Sequence, residues 1–438
     1  MPHVRLITLS LAFAAALAVP GSALAKGWVY TESNDPTPGR NAVLALEYGP
    51  TGATNPAHIR EFRTKGTGAA LIQPGMSVGT LGADQEVTLS ADKKWLFAVN
   101  QGSDTVAVFK VNKATGTLTA AKGSPFKSGG KAPIALGFNG KYLVVANHGT
   151  VAPFAPGPMA DFGNPNFTAF RLSSQGKLTK VSSTPAGRGP SQALFSPSGR
   201  NVFSTSFYEF LFGNDLIQSL TLSPTGSLAQ APGSPIGFPT EVTGGIGPIP
   251  PFLPPGIEKL AFGIGVNPTK NYIYVAGPLN ARVAIYRYTP SGALTYVGKA
   301  DNPGSFAACW VALTSDGKYL YTANSASQDI SLFRMSPSGA ALTFVEKVKV
   351  PSTGTNFNFA IDPTDSYLYN VADHDDPDGP RPEGVKPDGT IVPAPADGNF
   401  VEAFRIGGGG RLTPISTTAL PVRLSQEPYG LALLRKGG

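Results

Sequence analysis

The sequence predicts an all-β protein, a seven-bladed β-propeller with four antiparallel strands per blade, and three observations carry that prediction. An element written DGKYLYTAN around Tyr319 recurs as KGWVYTES at Trp28, DKKWLFAVN at Trp95, NGKYLVVAN at Tyr142, SGRNVFSTS at Asn201, TKNYIYVAG at Tyr272 and TDSYLYNVA at Tyr367. Internal similarity of this kind marks a repeat architecture. Each copy is followed by an alternating strand, such as DTVAVFKV at 104–111 or DISLFRMS at 329–336, and then a turn such as Ser336-Pro337-Ser338-Gly339. Period-two alternation bounded by Pro/Gly turns marks antiparallel strands. The third observation is composition: 52 Gly and 41 Pro with 14% charged residues suit short strands and turns rather than helices.

Lettering the strands of a blade a to d from the axis outward, strand a is the short, small-residue apolar stretch before most copies: EVTLS, IALGF, QALFS, GIGVN, WVALT and FAIDP. Strand b is the repeated element itself, strand c the alternating stretch after it, and strand d begins near the "LT" that follows the turn. The first copy lacks a strand a. Glu427-Pro428-Tyr429-Gly430-Leu431-Ala432-Leu433-Leu434 matches the missing element, so the C-terminal strand is expected to complete the first blade, closing the ring and removing open sheet edges.

Residues 1–25 read as a secretory signal peptide: Arg5, an apolar run from Leu6 to Val19, and a small-residue cleavage site ending at Ala25. Residues 26–438 then form one propeller domain, periplasmic or secreted. No other stretch has the apolar length of a membrane span. Cys309 is the only cysteine and lies in the run FAACWVAL; it can form no intramolecular disulfide and reads as a buried structural thiol. The formal charge of +7 becomes 7 − 1 = +6 once Arg5 is removed. No dense Lys/Arg block accompanies it, which excludes a nucleic-acid footprint.

The a–b turns and most c–d turns are short, whereas b–c and d–a connections vary. Alternating strand direction puts b–c and d–a loops on one face, and function is expected there. The long connections are 64–85, 149–166, 207–214, 232–258 and 374–399. Their aromatics, among them Phe154, Phe207, Tyr208 and Phe238, either cover an apolar pocket for a small ligand or pin the loops to the rim. Asn100, Asn147 and Asn324 share one repeat position and read as hairpin supports. His148 and His374 stand at the mouth, with the pKa range for proton transfer. The run Asp373 to Gly379 holds oxygen ligands but not the spacing of a calcium loop. No hydrolase elbow, zinc-protease, phosphate-loop or C-x-x-C motif occurs. No metal site and no cofactor are therefore expected.

The SPSG turn, the aromatic-Leu/Val-aromatic-x-x-Asn strand, the xVAVFxV strand and the GxLT turn together resemble the lactonase family of seven-bladed propellers. That family includes 6-phosphogluconolactonase-like proteins and carboxy-muconate cyclases of the fungal type. The resemblance implies a small carboxylated or cyclic-ester substrate, histidines and an arginine at the start of strand a in adjacent blades, and a glutamate from a neighbouring loop. Here those positions read Arg188-Gly189-Pro190-Ser191-Gln192-Ala193 and Glu258-Lys259-Leu260-Ala261-Phe262-Gly263, without the histidines. On this resemblance His148 or Glu209 is expected as general acid/base and Arg188 or Lys259 as the carboxylate holder, with Gln192, Lys259, Glu258, Glu86, His374 and Glu427 as substrate contacts. The competing expectation is a non-catalytic propeller, akin to those with YVTN-type repeats, binding a small molecule or a protein partner. A monomer without nucleic-acid partners fits both.

Overall fold

The computed structural model describes residues 27–69, 85–149, 163–212, 216–243, 260–278, 282–305, 307–325, 327–352, 355–373, 382–385, 391–393, 399–422 and 426–436. The expected signal peptide, His374, Glu258 and Lys259 lie outside these residues. Among the described residues no helix is long and apolar enough to cross a membrane.

Seven antiparallel sheets follow one another, each built from one repeat, so the predicted fold class holds. The b strands are Gly27–Glu32, Trp95–Asn100, Tyr142–Asn147, Asn201–Ser206, Tyr272–Gly277, Tyr319–Asn324 and Tyr367–Asp373. They are largely buried on both faces because a neighbouring blade covers each side; Leu96, Phe97, Leu143 and Val144 are fully buried. Fully burying one such side chain contributes about 1.5–3 kcal/mol. The outer strand has one wet face, and Leu178–Pro185 accordingly alternates between exposed and partly buried positions.

Closure occurs as expected. Tyr429–Arg435 pairs antiparallel with Gly27–Glu32, with Gly27 opposite Arg435 and Tyr30 opposite Ala432. The same strand touches Val87–Leu89 of blade 2 and Thr355–Ile361 of blade 7, so the inner strands form an unbroken ring. Small residues permit this crowding: a Cβ on Gly263 would lie 2.3 Å from the Cys309 carbonyl oxygen.

The blades are locked at a second radius by a repeated contact. The c–d turn glycine of each blade sits on the first side chain of strand b in the preceding blade. Gly116 covers Trp28, Gly176 covers Trp95, Gly226 covers Tyr142, Gly339 covers Tyr272, Gly410 covers Tyr319 and Gly52 covers Tyr367, all at positive φ. At the one blade whose strand b opens without an aromatic, Gly292 lies against Asn201. Where strand b carries a second tyrosine, its hydroxyl donates to the same glycine's carbonyl, as in Tyr321 to Gly410 at 2.7 Å and Tyr369 to Gly52 at 2.8 Å. Only glycine combines the left-handed turn with room for the ring.

Two elements refine the loop expectations. In blades 2 and 4 the outer strand breaks and resumes as Phe126–Lys127 and Ile236–Gly237, so the connection placed at 232–258 starts later. Each break occurs at a Gly-Ser-Pro sequence whose serine hydroxyl accepts a strand c N–H at 2.9 Å, Val108 to Ser124 and Ser219 to Ser234. The connection 374–399 contains a hairpin, Pro382–Val385 with Ile391–Pro393.

Candidate active site on the long-loop face

The described anchors put d–a and b–c connections on one side of the disc, as expected. The d–a residues Thr64 to Gly68 lie against the b–c residues Asn34, Asn100 and Gly102. The repeat asparagines support hairpins: Asn100 donates to Thr105, Asn147 to Asn166 and Asn324 to Asp329, each the residue directly opposite on strand c. Asn41 bridges Glu32 and Asn100 across blades 1 and 2, and burial holds the Glu32 carboxyl well above the usual carboxylate range.

Three expected residues converge at the seam between blades 3 and 4. Strand a of blade 4 is approached through Gly187–Gln192, and strand b leaves through the 3-10 turn Phe207–Phe212. Phe207 N donates to the Gly189 carbonyl at 2.7 Å and Tyr208 N to the Arg188 carbonyl at 3.2 Å. Gly189 is held at φ +65 against the Tyr208 ring. This clamp brings Arg188 to Glu209: the Arg188 main-chain N donates to Oε1 at 2.9 Å and its Nη1 to Oε2 at 3.0 Å. The carboxylate is buried, while the arginine side chain is 43% exposed. Both Glu209 oxygens are thus engaged, and part of the guanidinium faces solvent.

His148, one residue beyond strand b of blade 3, packs edge-on against Tyr208 with ring centroids 5.3 Å apart. It is 1% exposed. Burial pushes its pKa down to about 3, opposed by a hydrogen bond to the Pro190 backbone, which as proline offers only its carbonyl. The imidazole is therefore neutral, and its buried Nε2 has no hydrogen-bond partner among the described residues. In this structure it is closed off from solvent, so it is no ready proton donor.

The remaining expected contacts disperse. Gln192 is fully buried, and its amide stitches blade 4 to blade 5: Oε1 accepts from Ile264 N at 2.6 Å and Nε2 donates to the Ile264 carbonyl at 3.2 Å. Glu86 and Glu427 are buried at the start of strand a in blades 2 and 1. The loop aromatics that are described pack downward. Tyr208 lies 5.0 Å from Phe207, Phe207 4.4 Å from Phe262, and Phe262 4.5 Å from Trp310. This row, leading from His148 across blades 4 to 6, was not read from the sequence. Its signal is the two aromatics, Phe262 and Trp310, in an inner strand otherwise built from small residues.

Volume points elsewhere. A cavity of about 730 Å³ lies on the short-turn face between blades 5 and 6, bordered by Lys270, Asp316, Lys318 and Arg334. Another of about 430 Å³ opens at the inner strands of blades 4 to 6, beside Ile264 and Val311. The first is a groove between turns in which Asn267 and Asp316 cap their own turns, and the second is walled mainly by aliphatic side chains. The Arg188 seam is preferred because it unites an oriented cation, a buried carboxylate and a buried, neutral imidazole. Among the described residues no group of three or more His, Cys, Asp or Glu side chains could hold a metal ion. Cys309 is buried, and desolvation pushes its thiol up to about 12, as a structural role requires.

A family description, "Lactonase, 7-bladed beta-propeller", matches residues 70–130 and 264–377. No curated protein matches the chain by sequence. Among solved structures, the periplasmic gluconolactonase PpgL of Pseudomonas aeruginosa shares 15% identity over 93% of this chain and 99% of that one, with a TM-score of 0.63. A proposed 6-phosphogluconolactonase of Bacteroides fragilis shares 17% identity over 93% and 98%, with a TM-score of 0.57. At such identities the structures establish the fold, and together with the family match they bear out the resemblance read from the repeats.

Proposed function

We propose that this chain, a seven-bladed propeller of the lactonase type, is an exported enzyme that opens or closes the lactone of a small anionic substrate at the seam of blades 3 and 4. The observation that carries the reading is the half-exposed Arg188 guanidinium, fixed by a buried Glu209 carboxylate on the face from which the long connections leave. In lactone hydrolysis the carbonyl oxygen gains charge as water attacks, and a pre-oriented cation stabilises that charge. Arg188 holds the substrate's anionic group or this developing oxyanion. Glu209 orients Arg188, and His148 positions the 188–192 turn through Pro190. The names of the solved relatives, a periplasmic gluconolactonase and a proposed 6-phosphogluconolactonase, support a sugar lactone and a periplasmic location. Acid release from glucono-lactone and its 6-phospho form tests the reading. Turnover abolished by Arg188→Ala is expected; no turnover of either lactone, or an unaffected variant, overturns it.

The second reading, a binding propeller without catalysis, is favoured by His148. With its imidazole buried and neutral, the described site offers no exposed group of tunable pKa to move a proton. Thermal stabilisation by a lactone or sugar acid without turnover is its expected signature.

A further inference from the structure

On the long-loop face several cations are paired: Lys131 meets Asp104 at 2.6 Å, Arg188 meets Glu209 at 3.0 Å and Arg282 meets Asp301 at 3.0 Å. On the short-turn face, a basic residue stands directly opposite the aromatic that opens strand b in five blades: Lys110 opposite Trp95, Arg171 opposite Tyr142, Arg287 opposite Tyr272, Arg334 opposite Tyr319 and Arg405 opposite Tyr367. All five are exposed, and none forms an ion pair among the described residues. Lys94, Lys141, Arg200 and Lys318, each just before strand b, add to the same face.

The acids of that face are already committed. Asp92 accepts from Ser90 and the Lys94 N–H, Asp316 from Thr314 and the Lys318 N–H, and Asp365 from the Ser315 N–H and hydroxyl. They cap turns, and two of them engage one lysine each. The result is exposed, unpaired positive charge at one level in five of the seven blades of a face made of short turns, with Glu47 at the same position in blade 1.

We propose that the short-turn face docks reversibly on an anionic phospholipid surface. A level set of separated cations suits a plane of headgroups, whereas a single small anion would call for convergence on one point. The exposed large hydrophobics, Val181 and Val297, lie on outer strands. Contact is therefore electrostatic, without insertion, and weakens with salt.

Co-sedimentation of the purified protein with phosphatidylcholine vesicles, with and without phosphatidylglycerol, tests this. Binding should rise at least about tenfold with the anionic lipid and vanish at high salt. The variant Arg171→Glu/Arg334→Glu/Arg405→Glu should lose it, while Lys65→Glu/Lys127→Glu/Lys349→Glu, with the same charge change on the other face, should retain it. Should the first variant misfold by circular dichroism, the three Arg→Gln changes should give a smaller loss of the same sign. Equal binding to both vesicle types, or indifference to these substitutions, overturns the proposal. So does retention on a linear polyanion without vesicle binding, which would assign the face to a polymer.

Discussion

Arg188 grips Glu209 at two points, with its own main-chain N–H on one carboxylate oxygen at 2.9 Å and its guanidinium on the other at 3.0 Å. One carboxylate therefore fixes both the path of the turn and the direction of the side chain that the turn presents. The residues are 21 apart in sequence, and they meet because the start of strand a and the end of strand b leave the blade on the same face.

Glu209→Gln keeps the shape but weakens one or both of these contacts. Charge-assisted hydrogen bonds contribute about 1.5–3 kcal/mol, a figure reduced here because Arg188 is 43% exposed. A loss of roughly 1 kcal/mol in denaturant unfolding is expected. If Arg188 positions the substrate, kcat/KM falls at least about tenfold in the same variant, and Arg188→Lys does not restore it, since a point charge cannot reproduce the fork.

His148 predicts a pH dependence of stability. Its folded pKa, about 3, lies below its unfolded value near 6.5. Between these values the unfolded chain binds the extra proton, so this contribution is full above the unfolded pKa and is lost as the pH falls towards 3. Each pH unit in that window removes up to about 1.4 kcal/mol. Raised carboxyls such as Glu32 and Glu402 act in the opposite sense, so the measurement is a difference: the unfolding free energy of the parent minus that of His148→Gln, taken from pH 7 downwards. The difference should shrink on acidification, and a constant difference contradicts the assignment.

The seam glycines separate backbone strain from crowding. Gly140 has φ +96 and nothing within 4 Å of an added Cβ, whereas at Gly226, with φ +91, that atom would lie 2.5 Å from the Tyr142 ring. Gly140→Ala should cost about 1–2 kcal/mol from the left-handed conformation alone. Gly226→Ala should cost about 1–3 kcal/mol more. Urea titrations of the two variants check the order.

Gln192→Leu retains the bulk but removes both partners of Ile264. Leaving a buried N–H and carbonyl unmatched costs about 1–3 kcal/mol for each group, so a large fall in melting temperature is expected. If instead Gln192 contacts substrate, stability should change little while KM rises.

Much of the fold was legible because it depends on neighbours in sequence. Strand b is apolar on both faces at Leu96 and Phe97 and follows a fixed turn, and the asparagine supports bond across their own hairpins. The seam lock was half visible: the turn glycines and the aromatics were both read, but Gly410 meets Tyr319 only because adjacent blades stack. The site divides in the same way. Arg188 and Glu209 were chosen by residue type and share a blade. The burial of His148 depends on Tyr208 and Pro190 of the next blade, and the amide of Gln192 is consumed by Ile264 of the blade after its own. Contacts between blades carry no repeat signature when only one seam uses them.

The strand that joins Gly27 to Arg435 also sets an order of assembly. Joining residues some 400 apart costs roughly 5 kcal/mol of chain entropy, and the contacts that offset it arise only when the last blade's successor strand is in place. Six blades and most of a seventh can gather as the chain emerges, but the first remains an open edge until Tyr429–Arg435 arrives. That vacancy has the shape of one known peptide, the protein's own final strand. Until it is filled, the nascent disc is at its most exposed to strand exchange with another copy.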